Sequence, residues 1–575
     1  MKKSKILAIL VAVLLTFACT FGACKLLNPT PQYTISLNLQ KSFTLEVGDE
    51  VDFTEYFIIR DQNGNQVVVT PSMLDLSQVD TSKPGYFYVT ASIGNVAKTA
   101  TFNVKDPDGS QGGGNQGGDN QGDGNQGDTT PTDTMEKQTY NPSTFDGSTL
   151  QDRMMDVEGA IGLPSTGDIN ALVIPVQFVG DTITSTQLSK LEKAFNGTAT
   201  DTGWESVRSY YQKASYGKLN LTFDIQDVYR AKNNAKYYEN YRQNYQEGGY
   251  TYTRTGEEII LTEALSYYES RLDLTKYDTN DDGTIDAVYL IYSAPVDYDD
   301  ADFYWAYVTW YYGENRYDGL DAYYYLFAGF DFMAESPAND GGSGYDLIPG
   351  LKINASTFIH ETGHLLGLDD YYDYDESTGS NEGLGGADMM DYTVGDHNVY
   401  SKTMLGWLTP TVVNETKTVE IQSSQASASA ILIPLKFDNS YFCEYLLIDL
   451  YSASGLNALH ASASDTVLYD GASYGVRIYH VSSSANDPYN NDYGSFTDNN
   501  NTSTKYPLIK LVEADGESKF KSTGGYASRS DLWAAGDKLS QAFSSYTRHD
   551  GKKVNFDIII NSVTATSASV TVKFN

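Results

Sequence analysis

Residues 355–370 read A-S-T-F-I-H-E-T-G-H-L-L-G-L-D-D, and the reading of the whole chain turns on this stretch. His360 and His364 are four apart, so on a helix both project from one face at a separation suited to a single metal ion. Glu361 is rotated about 100° from His360 by helix geometry, which sets it beside the ion rather than on it, where it can hold a water. Phe358, Ile359, Leu365 and Leu366 would bury the rest of the helix, and Gly367 permits the positive-φ turn that ends it. The chain then swings back and brings Asp370 to a third ligand position. A fourth position is left open to water, as catalytic zinc requires.

Outward from this stretch, residues 165–410 mix helices and strands. Ala171–Val179 (ALVIPVQFV) is a near-continuous β-rich run of the kind that makes a buried strand. Residues 204–216 carry aromatics at helical spacing before Gly217, 257–272 reads as another helix, and 287–292 as a second apolar strand. Beyond 411 the runs 431–437, 444–450, 474–480 and 568–574 are strand-like, which predicts a β-rich C-terminal domain over 411–575 packed on the preceding part. Residues 136–164 are either a lead-in or an inhibitory pro-segment.

Upstream, residues 33–105 alternate in strand fashion, with turn signals at Gly48-Asp49, Asn63-Gly64 and Pro84-Gly85. The pattern predicts a small β-sandwich that resembles the bacterial immunoglobulin-like modules. Residues 106–135 are a linker whose Gly/Asn/Gln/Asp repeat (106–133) has no apolar residue with which to bury a core. At the N-terminus Lys2, Lys3 and Lys5 precede an apolar run too short to span a bilayer comfortably, the layout of an export signal over 1–23. Gly22 and Ala23 before Cys24 resemble a lipoprotein cleavage box, with Cys19 as a weaker rival, so residues 24–32 become a tether from a lipidated Cys24. Cys443 then lacks a partner and reads as a small buried apolar residue.

With 75 acidic and 39 basic residues the chain carries a formal charge of −36, which argues against nucleic acid as a partner, because phosphates would go unneutralised. Three cysteines, two of them in the first 24 residues, exclude a disulfide scaffold. An aromatic content of 13% separates the chain from acidic disordered sequences.

Residues 278–286 (D-T-N-D-D-G-T-I-D) place Asp278, Asn280 and Asp282 at calcium-loop positions one, three and five. Gly283 falls at the sharp turn and Asp286 at position nine. Position twelve is Tyr289 rather than Glu, so a structural Ca²⁺ site is expected rather than a sensor.

The extended pattern H-E-x-x-H-x-x-G-x-x-D resembles the metzincin clan, with Asp in place of the usual third His. The chain is most similar to the immune inhibitor A family of secreted bacterial zinc metallopeptidases. That resemblance rests on LPSTGDINALVIPVQF (163–178), SVRSYYQKASYGKL (206–219), YDTNDDGTIDAVYLIY (277–292), GGADMMDYTVGDHNVYSKTMLGW (385–407), and the later EYLLIDL and GVRIYHV. It implies a multidomain protein with an α+β zincin-like catalytic domain between an N-terminal immunoglobulin-like sandwich and a C-terminal β-rich domain. It also implies Met390 as the Met-turn residue, with Met389 as rival, and Tyr392 as a phenol near the metal. Many relatives have W-x-H where this chain reads Trp305-Ala306-Tyr307, which removes any role of that His here. The expected activity is a zinc-dependent endopeptidase, secreted or lipid-anchored at the cell surface, that hydrolyses extracellular proteins or peptides. The alternative is a non-catalytic adhesin that binds host or matrix glycoproteins, for which an intact Glu361 would have no use.

Overall fold

The structure, a computed structural model, describes residues 33–37, 44–48, 51–61, 66–76, 79, 81–82, 85–93 and 96–105. It then describes 134–575 apart from 159–160, 248–249, 296–302, 312, 314, 335–349, 373–382, 392–393, 460–467, 485–493, 496–506, 517–525, 544–545, 547 and 550. The export signal, the tether with Cys24, most of the 106–135 linker, and Tyr392 therefore lie outside the described residues. Among the described residues no helix is long and apolar enough to cross a membrane. The chain divides into two units, Met1–Asp128 and Thr129–Asn575.

In the first unit the described strands are β1 (Tyr33–Leu37), β2 (Thr44–Glu46), β3 (Phe57–Asp61), β4 (Gln66–Val67), β5 (Leu74–Asp75), β6 (Gly85–Ile93) and β7 (Val96–Lys105). They make two sheets, ordered β1-β3-β4 and β2-β7-β6-β5. β6 and β7 form a hairpin that closes with Ile93 opposite Val96, while β2 joins β7 in parallel. Leu45, Phe53, Tyr56, Phe57, Val89 and Ala91 supply the core.

The second unit is mixed α/β. Its strands are β8 (Gly167–Gln177), β9 (Leu219–Ile225), β10 (Tyr229–Arg230), a hairpin of β11 (Arg242–Glu247) and β12 (Tyr250–Thr255), then β13 (Val288–Tyr292), β14 (Tyr307–Trp310) and β15 (Tyr324–Gly329). The main helices are α1 (Leu150–Glu158), α2 (Ser185–Asn196), α3 (Val207–Ala214), α4 (Gly256–Glu269), α5 (Ser356–Leu365) and α6 (Val399–Met404). The sheet runs β10-β8-β13-β15-β14, with β9 also paired to β8. β8, β13 and β15 are mutually parallel, and β14 closes the edge antiparallel to β15.

Burial on both faces explains why these strands read as unbroken apolar runs. In β13, Tyr289 and Ile291 enter the core beneath α2, α3 and α5, whereas Val288, Leu290 and Tyr292 enter the opposite core with α4. β8 starts at Gly167, earlier than the apolar run, because Gly167–Asn170 pair with Leu219–Thr222. α3 starts at Val207 because Ser206 caps it, its hydroxyl accepting from the Ser209 N–H at 3.1 Å.

The C-terminal part holds β16 (Thr411–Val412), β17 (Lys417–Gln422), β18 (Ile431–Lys436), β19 (Glu444–Ser452), β20 (Tyr474–Ser484), β21 (Gly494–Ser495), β22 (Ile509–Leu511), β23 (Lys538–Leu539), β24 (Phe556–Val563) and β25 (Ser567–Phe574). They form a six-stranded sheet, β16-β18-β19-β20-β21 with β22 on β20, and a four-stranded sheet, β17-β25-β24-β23. All nine residues of β19 are buried. Leu446, Ile448 and Leu450 face the four-stranded sheet, while Tyr445, Leu447 and Tyr451 join the core that carries α5. The sheet is thus a wall shared by two cores, and residues 411–575 continue the packing of 165–410.

Residues 134–164 are stitched to both parts. The Met135 N–H donates to Lys553 O at 2.9 Å, and the Asn141 N–H to Asn439 Oδ1 at 3.0 Å. On α1, Gln151 Nε2 donates to Leu163 O at 2.7 Å and Leu366 O at 3.1 Å, and its Oε1 accepts from the Ser165 N–H at 2.8 Å. The segment therefore backs the far end of α5.

Candidate metal centre

The end of α5 sets the geometry. The Gly367 N–H bonds His364 O at 2.8 Å and the Leu368 N–H bonds Gly363 O at 3.0 Å, with Gly367 at φ 95°. These are the two closing bonds of a Schellman ending, which needs a left-handed residue at that position. A side chain there would also have to push Met154 on α1 aside, since a Cβ would stand 2.5 Å from its Sδ. The reversal returns Leu368 O to His364, whose Nδ1 donates to it at 2.7 Å. His360 Nδ1 donates to Met389 O at 2.8 Å. Each imidazole thereby donates through Nδ1 and turns its Nε2 inward.

Those two Nε2 atoms lie 3.0 and 3.4 Å from one oxygen, Asp370 Oδ1. One ligand atom from each of His360, His364 and Asp370 lies within 4.8 Å of the others. Asp370 is buried, whereas Asp369 is half-buried and outside this trio. Burial works to raise the Asp370 carboxyl, but the neighbouring His364 and His360 outweigh it and hold the group well below the usual carboxylate range. Burial opposes charge on His364 too, yet Asp370 pushes it up to about 10. Two inward-turned ring nitrogens and a buried carboxylate oxygen mark a place where positive charge is favoured. A divalent cation supplies it, and two imidazoles with one carboxylate is a donor set that suits zinc.

Glu361 is also buried, and burial raises its carboxyl above the ordinary value while both histidines pull it down. The backbone N–H of Val308 on β14 also works against the rise, which sets Glu361 beside the edge strand. Ahead of that strand, Tyr292 donates its hydroxyl proton to Trp305 O at 2.8 Å. Trp305 and Trp310 are both exposed, at 39% and 45%.

Beneath α5 the 388–391 turn is held by Asp388, whose two oxygens accept from the Met390 N–H at 2.8 Å and the Asn398 N–H at 2.6 Å. Burial pushes the Asp388 carboxyl up to about 7 against those two bonds. Met389 and Met390 are both buried, but they contribute differently. Met389 offers its carbonyl to His360, while Met390 sets its sulfur under the helix, where a Cβ on Gly363 would come within 2.4 Å of Sδ. Gly363 leaves room for that methionine.

The 278–286 loop presents a different picture. Asp278 Oδ1 and Oδ2 accept from the Asp282 and Gly283 N–H groups at 3.0 and 3.1 Å, and Asp282 Oδ1 accepts from the Thr284 N–H at 2.8 Å. Asn280 Nδ2 donates to Asp282 Oδ2 at 2.9 Å, and buried Asp286 accepts from the Thr279 N–H. The side chains are occupied by their own loop, and Asp278, Asp282 and Asp286 do not converge as the His360 trio does. Gly283 takes φ 87° at the turn, and Ile285 is fully buried.

Two features had no sequence signal. His397 is buried among Tyr210, Tyr211 and Trp407, with neither ring nitrogen hydrogen-bonded among the described residues. Burial holds it neutral. Its neighbour Tyr211 donates to Ile359 O at 2.6 Å, so this aromatic box braces the histidine helix. Glu444, His480 and His549 form a second convergent trio, drawn from three places in the C-terminal part. Set against protein-family models and against curated proteins, the chain matches none.

Proposed function

We propose that this chain is a zinc-dependent endopeptidase of the immune inhibitor A kind, secreted or lipid-anchored at the cell surface, acting on extracellular proteins or peptides. The observation that carries the reading is the convergence of His360, His364 and Asp370 beside a buried Glu361 that lies next to a sheet edge. His360, His364 and Asp370 would hold the zinc, which when bound supplies Lewis acidity to a water and to the scissile carbonyl. Glu361 takes the proton from that water and passes it to the departing amine. Its raised carboxyl serves both halves of that exchange, because a weaker acid is a better acceptor and still a competent donor. The antiparallel edge β14 offers main-chain groups along which an extended peptide can pair, which favours a polypeptide substrate over a small ester or amide.

The test is cleavage of a peptide library by the purified chain, with a strong zinc chelator and after zinc is restored. Cleavage lost on chelation and recovered with zinc is the expected result. Cleavage indifferent to the chelator, or none at all from a zinc-loaded chain, overturns the reading.

The proposal includes a structural calcium ion in the 278–286 loop, supported by the spacing of Asp278, Asn280, Asp282 and Asp286. Adding calcium to calcium-free protein is then expected to raise the melting temperature, by linkage of binding to folding. Asp282→Ala should abolish that response. A melting temperature indifferent to calcium in the unaltered chain reduces the loop to a turn.

A further inference from the structure

We propose that Glu444, His480 and His549 form a second site for a divalent transition metal such as zinc, built into the C-terminal sandwich and independent of the His360 centre. The sheet register assembles it. Glu444 is paired with Ser482 and His480 with Leu446, so Glu444 and His480 are diagonal neighbours on one face of β19 and β20. Alternation puts that face with Leu446 and Ile478, toward the four-stranded sheet. His549 enters from the connection between β23 and β24. One ligand atom from each residue lies within 4.8 Å of the other two.

Each group is oriented before any ion arrives. His549 Nδ1 is held by Ser482 Oγ at 2.7 Å, and the His549 backbone N–H donates to Glu444 Oε1 at 3.2 Å. His480 Nε2 stands 2.9 Å from the same oxygen, and the two imidazole rings are 4.4 Å apart between centroids. Glu444 and His480 are 2% and 1% exposed. Even so, Glu444 Oε2 and His480 Nδ1 have no hydrogen-bond partner among the described residues. A buried carboxylate oxygen without a donor is costly, and a nearby cation is the direct remedy. A carboxylate and two imidazoles again make a zinc-type set, here joining two strands to the loop before β24.

The test is metal content of the full chain, dialysed against Zn²⁺ and then metal-free buffer, in four forms: unaltered, His364→Ala, His549→Ala and the double variant. The expected result is two, one, one and no ions per chain. His549 is only partly buried, so its truncation should leave the melting transition cooperative. If that variant fails to fold, Ser482→Ala decides, because loss of the hydroxyl that orients His549 should weaken the second ion about 10–100-fold. Ser482→Ala binding both ions as tightly as the unaltered chain then overturns the site. A single ion in the unaltered chain, removed by His364→Ala, overturns it. So do two ions that both survive His549→Ala, which would place the second elsewhere, for example at Glu513, Asp515 and Asp531. Failure here leaves the peptidase reading intact, since that rests on His360, His364 and Asp370.

Discussion

Glu361→Gln is expected to leave the zinc content equal to that of the unaltered chain and to lower peptide hydrolysis by about 10²–10⁴-fold, the usual contribution of a positioned acid–base group. The substitution conserves shape. Its amide oxygen still faces the Val308 N–H on the edge strand as the carboxylate oxygen did. None of the three ligand residues is touched. What disappears is the capacity to take a proton from water and return it to the amine. Zinc content and turnover measured on the same preparation separate this loss from a loss of metal. Undiminished turnover with full zinc would show that some other group is the base.

Asp370→Ala is expected to hold one zinc ion fewer per chain and to show no hydrolysis above background. The Schellman turn at Gly367 delivers Asp370 to within 3.0 and 3.4 Å of the two Nε2 atoms. Truncation leaves two imidazoles and no carboxylate, a set that rarely retains a catalytic ion. Asp369 is half-buried and outside the trio, so Asp369→Ala should keep its zinc, with only a modest loss of activity. Metal content after dialysis compares the pair. Zinc lost from the Asp369 variant rather than the Asp370 variant would contradict the geometry of the returning segment.

The centre was legible because its information is local. Two histidines one helical turn apart, a glycine that must be left-handed and an aspartate just beyond it all fall within eleven residues. The buried strands showed in the same way, since burial on both faces writes an unbroken apolar run at β13 and a shorter one, Tyr445–Ile448, inside β19. Other features carried no such mark. β14 reads as four ordinary residues, and only its pairing with β15 makes it an edge beside Glu361. Glu444, His480 and His549 span 105 residues, so no spacing rule links them. Residues 136–164 have no motif, and their part in the fold depends on single bonds such as the one from Gln151 to Leu366. Tyr392 and Cys24, singled out by resemblance, lie outside the described residues.

The bond from Gln151 to Leu366 joins residues 215 apart, and the one from Met135 reaches as far as Lys553. A chain emerging amino end first cannot close these contacts in the order it is made. α1 must wait for α5 before it has anything to support, and the strand carrying Tyr445 and Leu447 must arrive before their shared core is sealed. Loop closures of that length come late, after the locally paired elements have formed. Capture of an ion by His360, His364 and Asp370 would then follow completion of the chain, so a partly made polypeptide would hold no finished metal centre.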